Sequence, residues 1–328
     1  MKALLADNSG NEPKMVLGTY EDPIPGEHEL LVKIEATALN RADLMQKAGK
    51  YPPPDGESPL LGLEMAGVVA DTGGKVTKYK PGDRVYGLLA GGGYAEYCAI
   101  HEDLAMSIPE NLSYEEAAAI PEVFLTAFQA VVWLGELQEN ETILIHAGAS
   151  GVGTAAIQLA RELRNARIAV TAGSEEKLEL CKSFGAELMI NYKNENYAEK
   201  IENEFGNNSV DLVIDFVGSP YWNKNIQTMA IDGRVVYLAM LGGATVEKMS
   251  ILPILKKRLT IKGSTLRNRP LQYKAKLTEA FKFENSNLLE ERKLVPVIDS
   301  IYDWKDAENA HQRMQANKNA GKIILTGM

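Results

Sequence analysis

The stretch of residues 141–160, ETILIHAGASGVGTAAIQLA, constrains the fold more than any other part of the chain. It opens with a short apolar run, residues 142–146, whose length and β-branched content predict a buried strand. Gly148, Gly151 and Gly153 follow, and a helix of small residues is predicted after them. Strand, glycine turn and helix are the context of a dinucleotide-binding fingerprint, because glycines let backbone N–H groups approach a pyrophosphate at the helix N-terminus.

The stretch departs from the pattern G-x-G-x-x-G at its middle position, which is Ser150. Two roles are open for this hydroxyl: it donates to a phosphate or a ribose, or it caps the helix. The alternative for the whole turn is a glycine-rich connection that holds no ligand. We favour a cofactor turn, since three glycines at this spacing have no packing need that one glycine would not meet.

Length and charge narrow the class of protein. A chain of 328 residues exceeds what one core usually serves, so two domains are expected. With 35 Lys and Arg against 44 Asp and Glu, the net charge is -9, which argues against nucleic acid or an anionic membrane as the main partner.

Cysteine usage and the amino-terminal segment predict a cytoplasmic protein. Cys98 and Cys181 are too few for a disulfide framework. The segment MKALLADNSG has no apolar core of a signal peptide and does not resemble a transit peptide. The longest apolar stretch, residues 117–134, contains Pro121, Glu122 and Gln129, so we expect a buried helix and no membrane span.

No metal site is expected. A catalytic zinc needs three protein ligands, and the four histidines and two cysteines do not lie at ligand spacing. His146, at a strand end, is interpreted as a packed or backbone-bonded histidine.

The pattern of elements changes near residue 120. Before it, short strands at 2–6, 29–36, 67–70 and 84–87 are separated by Gly/Pro turns, which predicts a barrel or sandwich-like domain. Residues 40–45 predict one helical turn with Asn40 near its cap, and capping is one of two roles open for Asn40.

After residue 120, strands alternate with helices, which predicts a doubly wound parallel sheet. The helices are expected at 114–134 and 175–184, and the last strand, 259–264, is expected at a free edge. The tail carries a helix at 304–315 and strands that rejoin the first domain. The domains are therefore predicted as 1–120 with 267–328, and 121–266.

The end of the second predicted strand indicates which cofactor binds. NAD enzymes place an acid there for the ribose 2′-OH, whereas this chain has Thr-Ala-Gly-Ser at 171–174. Ser174 is the predicted cap of the next helix, and Lys177 in its first turn opposes the helix dipole. Gly173, Ser174 and Lys177 would suit a 2′-phosphate, which predicts NADPH. The alternative is that Lys177 is a solvated surface lysine.

Several runs resemble a known family. They are LGLEMAGVV from Leu61, KPGDRVYG from Lys80 and GGYAEY from Gly92, together with ALNRADLMQ, the Tyr51-Pro-Pro loop, AAIPE, LTAFQ, the glycine turn and ANKN near the end. These are similar to medium-chain dehydrogenases/reductases. Zinc-dependent members have His at the position of Leu63 and a four-cysteine lobe, so the chain resembles the zinc-free quinone oxidoreductases, and within them the tumour-suppressor-inducible branch.

The resemblance implies an α/β fold with a GroES-like β-barrel domain and a Rossmann domain, with the active site in the cleft between them. It implies NADPH-dependent reduction of a quinone by a homodimer, paired through the predicted edge strand. The residues that it assigns to the nicotinamide and substrate are Asn40, Tyr51 and Thr126. Those that it assigns to the cofactor phosphates are Ser150, Gly151, Val152, Gly173, Ser174, Lys177 and Tyr192, and those that it suggests as further cofactor contacts are Phe216, Met240 and Asn317.

Hydride transfer to a quinone needs little beyond holding donor and acceptor together in a dry site. Tyr51, on a proline-stiffened loop, is the candidate to stack on the substrate or to donate a proton, the alternative being an exposed loop tyrosine. Two other functions remain open: a reductase of enones or enoyl thioesters, with Tyr51 as acid, and a non-catalytic dinucleotide-binding protein of the crystallin or RNA-binding kind.

Overall fold

The computed structural model describes residues 1–7, 9–10 and 13–328, so part of the segment MKALLADNSG lies outside the described residues. The chain divides into two compact units. The first is Met1–Leu125 with Leu266–Met328, and the second is Thr126–Thr265. Each has its own buried apolar clusters.

The chain begins the first unit with short strands. These elements are β1 (Lys2–Asp7), β2 (Lys14–Thr19), β3 (Glu29–Ala38), α1 (Arg41–Lys47), β4 (Glu64–Thr72), β5 (Arg84–Leu88), β6 (Tyr97–His101), β7 (Ala105–Ser107), α2 (Tyr114–Ala118) and α3 (Pro121–Phe128). The four strands predicted here are present, each slightly longer than its apolar pattern. Asn40 is the cap residue of α1, and its N–H donates to the Asp43 carboxylate at 2.7 Å.

The single helix predicted over residues 114–134 is wrong. The helix is interrupted between Ala118 and Pro121, because proline has no N–H to donate and disfavours a helical residue before it. After α3 the backbone continues as a π-helical segment, Gln129–Leu134.

The second unit alternates strands and helices. Its elements are β8 (Thr142–Ile145), α4 (Gly151–Arg164), β9 (Arg167–Ala172), α5 (Glu175–Ser183), β10 (Leu188–Asn191), α6 (Tyr197–Phe205), β11 (Val210–Asp215), α7 (Trp222–Thr228), β12 (Met229–Tyr237), α8 (Leu252–Lys257) and β13 (Thr260–Gly263). The strands form one parallel sheet in the order β10-β9-β8-β11-β12-β13. This is the doubly wound dinucleotide-binding order, which reverses between β8 and β11. The predicted edge strand is β13.

The chain then returns to the first unit through α9 (Leu271–Glu290), β14 (Ile298–Asp303), α10 (Ala307–Gln315) and β15 (Lys322–Thr326). β15 pairs with β3, so the tail completes a sheet of order β14-β15-β3-β4-β5-β7, with β6 also on β3. The sequence did not predict α9, because its buried face mixes Leu277 and Phe281 with polar Thr278 and Asn285. Among the described residues, no helix has the length and apolar character needed to cross a bilayer.

Candidate functional site

The turn after β8 connects the strand to α4. Ser150 is the N-cap residue of α4, and its Oγ accepts a hydrogen bond from the Gly153 N–H at 3.1 Å. The structure therefore shows the capping role of Ser150. Because the oxygen accepts in this contact, the hydroxyl proton can still donate a hydrogen bond to another group. Ala147, before the turn, has a positive φ of 50°, so the chain bends sharply as it leaves the strand.

Two glycines of the turn are required by packing. A Cβ at Gly153 would lie 2.5 Å from the Ala147 carbonyl oxygen, and a Cβ at Gly148 would lie 2.9 Å from Val170 Cβ and 3.1 Å from Cys181 Sγ. The prediction that packing needs only one of these glycines is therefore wrong. Close approach of helix, turn and strand is one of the roles that glycines have in this fingerprint, so the observation fits a cofactor turn as well as a closely packed one.

The end of β9 brings together the residues predicted to meet a 2′-phosphate. A Cβ at Gly173 would lie 2.7 Å from the Tyr192 hydroxyl and 3.3 Å from Lys193 Cε. Ser174 caps α5, where its Oγ accepts from the Lys177 N–H at 3.4 Å. Lys193 was not predicted. Its signal in the sequence is its place directly after Tyr192 at the end of β10, which becomes meaningful only when β9 and β10 are known to be neighbours.

The acidic side chain that begins α5 has a partner of its own. The Asn191 side-chain amide, at the end of β10, donates to Glu175 Oε1 at 3.0 Å. This contact holds the Glu175 carboxylate against β10. No carboxylate follows β9 before this residue, at the place where NAD enzymes have an acid.

Phe216 and Met240 follow β11 and β12 at the same edge of the sheet. The Leu241 N–H donates to the Phe216 carbonyl oxygen at 3.0 Å, which fastens the two loops together. Phe216 is buried, whereas Met240 is 46% exposed. The loops after five consecutive strands of the sheet thus carry the predicted cofactor residues of this unit.

A buried hydrogen-bond network lies below these loops. His146 contacts Thr171 Oγ1 at 3.0 Å and Asn225 Oδ1 at 2.8 Å, and the Asn225 amide donates to Asp215 at 2.6 Å. Burial lowers the pKa of His146. The histidine is packed, as predicted, but its ring nitrogens bond to side chains and not to the backbone.

In the first unit, Asn40 belongs to a buried ion-pair network. Lys322 Nζ lies 2.7 Å from Glu64 Oε1 and donates to Asn40 Oδ1 at 2.6 Å. The Asn40 amide donates to Glu64 Oε1 at 2.8 Å, and the Glu122 N–H donates to Glu64 Oε2 at 2.8 Å. The side chain of Asn40 therefore joins the two charged groups.

The Tyr51 loop is fastened by an arginine that the sequence did not single out. Arg267 lies over the Tyr51 ring, 5.3 Å from its centroid, and one of its N–H groups donates to the Tyr51 carbonyl oxygen at 3.4 Å. The same guanidinium donates to the Ala90 carbonyl oxygen at 2.7 Å. Burial raises the pKa of Tyr51, and the negative charge of Glu122 adds to this effect.

Glu122 is a second titratable group near Tyr51. Burial, with a smaller effect of the neighbouring Glu64 charge, raises the pKa of Glu122 to about 8. Its carboxyl group is therefore mostly protonated at neutral pH and able to donate a hydrogen bond. The sequence shows this residue only as an acid within an apolar run.

The last two predicted residues differ in their surroundings. Asn317 has a positive φ of 54°, and its side-chain oxygen accepts from the Arg41 guanidinium at 2.7 Å. Thr126, in the second unit, has a buried Oγ1 with no hydrogen-bond partner in the part of the chain that the structure describes. An orphaned buried hydroxyl of this kind suits a polar group supplied by a ligand.

The described residues contain no group of three or more His, Cys, Asp or Glu side chains that could hold a metal ion. Leu63, at the position of a zinc-ligand histidine in related enzymes, is buried in the apolar core.

Comparison with known families matches both units. Residues 26–110 match the alcohol dehydrogenase GroES-like domain, and residues 151–282 match the zinc-binding dehydrogenase family. The quinone oxidoreductase of Homo sapiens is 30% identical over 313 residues, which cover 92% of this chain and 90% of that protein. A mycocerosic acid synthase-like polyketide synthase of Mycolicibacterium smegmatis is 29% identical over 98% of this chain, but the chain spans only 15% of its length.

Solved structures agree in fold. A mycobacterial protein complexed with NADPH superposes with a TM-score of 0.87 at 25% identity, covering all of both chains. An NAD-dependent alcohol dehydrogenase gives 0.86 at 29% identity, again over all of both chains. CurK enoyl reductase gives 0.85 at 25% identity, over 99% of this chain and 98% of that one.

Fold and site define a two-domain oxidoreductase with a GroES-like domain and a dinucleotide-binding Rossmann domain. The chain belongs to the medium-chain dehydrogenase/reductase superfamily, in which quinone oxidoreductases are among its homologues.

Proposed function

We propose that the chain is an NADPH-dependent reductase that transfers hydride to quinones without zinc. The observation that carries the proposal is the end of β9, where Gly173 and the Ser174 cap lie beside Tyr192 and Lys193 and no carboxylate takes the place of the ribose acid. The quinone oxidoreductase homologues support the acceptor class. We propose residues 1–120 with 267–328 as the catalytic domain and 121–266 as the dinucleotide-binding domain.

The chain's own residues fit such a cofactor. The turn at Gly148, Ser150–Gly153 would hold the pyrophosphate at the N-terminus of α4. Gly173, Ser174, Lys177 and Tyr192, joined by Lys193, would surround the adenosine phosphate. Phe216, Met240 and Asn317 are proposed as further contacts. Thr126 offers its unpartnered hydroxyl to a polar group of the nicotinamide.

When bound, NADPH supplies the hydride, and the protein orients and desolvates the reactants. Tyr51 is proposed to stack on the quinone or to donate a proton to the reduced oxygen, a task for which its raised pKa keeps it protonated. Arg267 fixes the loop that carries Tyr51. Asn40, whose polar atoms are bonded to Glu64 and Lys322, is proposed to act through that network.

A steady-state assay tests the function. Oxidation of NADPH is followed with a panel of ortho- and para-quinones and with enones, and NADH is the control. We expect the highest kcat/KM with NADPH and a quinone. No oxidation of either nucleotide with any acceptor would contradict the proposal, and a preference for NADH would contradict the assignment of Lys177 and Lys193.

Reduction of enones or enoyl thioesters is the second candidate. The similarity to CurK enoyl reductase and to a polyketide synthase favours it. Higher kcat/KM with alkenes than with quinones in the same panel would decide for this function.

We also propose a homodimer in the cytoplasm, formed through the edge strand β13. Apolar side chains beside this strand are exposed, including Leu255 at 76% and Ile261 at 38%. The two cysteines are free and buried, which suits a reducing compartment. Sedimentation at micromolar concentration tests the dimer, and a monomer would contradict it.

A further inference from the structure

A cavity of about 680 Å³ lies within the first unit, and none of the residues assigned above to the cofactor, nor Tyr51, lines it. Its wall combines the loop at 54–60 with the segment that leads into α9, which contributes Arg267, Arg269 and Lys274. The volume is in the range of small-molecule sites in proteins.

Lys274 is the unusual group of this wall. The residue as a whole is 7% exposed and lines the cavity, and its ammonium group has no hydrogen bond or ion pair with a residue that the structure describes. Burial lowers its pKa, while Glu57 opposes this effect by attraction from the exposed loop. An ammonium group that faces the cavity without an ion-pair partner among the described residues suits an anion that the cavity receives.

The backbone at the same wall also favours an anion. α9 begins at Leu271 after Pro270, with no capping side chain and no acidic residue in its first turn. The positive end of this long helix therefore lacks the usual negative complement, and Lys274 adds a further positive charge. Pro270 and Leu271 line the cavity, so this helix end lies at its wall.

The wall of the cavity carries further charged side chains of both signs. Arg269 lines the cavity and lies over the Tyr273 ring at 4.6 Å, and a guanidinium stacked on a ring can still donate hydrogen bonds from its edge. Arg267 is committed to the Ala90 carbonyl oxygen and to Gln46. On the acidic side, Asp22 pairs with the Met1 amine and Glu29 accepts from the Gly26 N–H, while Glu21 and Glu57 also line the cavity.

We propose that this cavity binds an anionic group, a carboxylate or a phosphate, held by Lys274 and Arg269 at the N-terminus of α9. The inference does not depend on the reductase function, since binding at this site needs neither cofactor nor turnover.

Titration of the full chain with inorganic phosphate and, separately, with acetate tests the site. Calorimetry and thermal unfolding are measured without nucleotide, and sodium chloride of equal ionic strength is the control. We expect saturable binding of at least one of the two anions, together with a rise in Tm that chloride does not give. The stronger of the two titrations identifies the anion as phosphate or carboxylate.

Lys274→Met keeps the length of the side chain and removes its charge. We expect it to weaken binding roughly tenfold to a hundredfold, the usual effect of losing a charged hydrogen bond. Lys276→Met, an exposed position on the same helix, should leave binding unchanged. Glu57→Gln should tighten binding, since it removes the carboxylate that competes for Lys274.

Three results would overturn the inference. The first is the absence of saturable binding of either anion to the wild-type chain. The second is equal affinity of the wild type and Lys274→Met. If Lys274 served only as a partner of Glu57, Glu57→Gln would lower Tm without any gain in anion affinity, which would also refute the site.

Discussion

Replacement of Lys177 and Lys193 by alanine should weaken NADPH much more than NADH, because the two nucleotides differ only in the 2′-phosphate. Lys177 is partly buried beside the Ser174 cap, so its contact should be stronger than that of an exposed ion pair and weaker than that of a buried one. About 1–2 kcal/mol is expected, which is a five- to thirtyfold rise in the KM for NADPH.

Lys193 is exposed, and its replacement should raise that KM only about two- to fivefold. Because both ammonium groups would bind the same phosphate, the effects of the two replacements should not simply multiply in the double variant. Both effects should shrink as salt is added, since exposed charges are screened within about 8 Å at physiological ionic strength.

The assay is steady-state oxidation of each nucleotide with one quinone, and Lys182→Ala, an exposed lysine on the same helix, is the control. The KM for NADH should change less than twofold in every variant. Equal losses with NADPH and NADH, or a loss in Lys182→Ala as large as that in Lys177→Ala, would refute the reasoning.

Three further predictions concern the first unit. Tyr51→Phe should lower kcat on the best quinone, and an unchanged kcat would leave Tyr51 a packing role only. Lys322→Met should lower the free energy of unfolding of the first unit in urea by roughly 3–5 kcal/mol, because it leaves the Glu64 carboxylate buried and unpaired, while exposed Lys318→Met should have little effect. Because the pKa of Glu122 is raised from 4.5 to about 8 in the folded chain, the wild type should lose stability as the pH rises through this interval. Glu122→Gln should remove most of that loss in urea titrations at pH 5 and pH 8, and an identical pH profile would contradict the assignment.

The Rossmann unit could be predicted from sequence because its signals are local. Each strand is a short apolar run. The glycine turn and the Ser174 cap are each defined by residues that lie within a few positions of one another in the sequence. Even the free edge at β13 followed from the order of the elements. The packing role of Gly148 did not, since it depends on Val170 and Cys181, which reach the turn only in the folded sheet.

The candidate residues at the end of β9 show the same limit. Gly173, Ser174 and Lys177 lie in one segment, so their sequence suggested an anion site. Lys193 comes from β10, and its proximity to Gly173 requires the parallel pairing of β9 with β10. Residues that meet through neighbouring strands are therefore missed until the strand order is known.

The first unit depends on a pairing that no local pattern can indicate. Lys322 and Asn40 are 282 residues apart, yet their hydrogen bond, together with the ion pair between Lys322 and Glu64, is buried. Without Lys322, Glu64 would be a buried carboxylate whose hydrogen-bond donors, among the residues that the structure describes, are the Asn40 amide and the Glu122 N–H. Since an uncompensated buried charge is strongly destabilising, the return of the tail as β15 is an electrostatic requirement of this unit as well as a pairing of strands. The same requirement makes the positions of Asn40 and of the Glu122 backbone depend on the last strand of the chain.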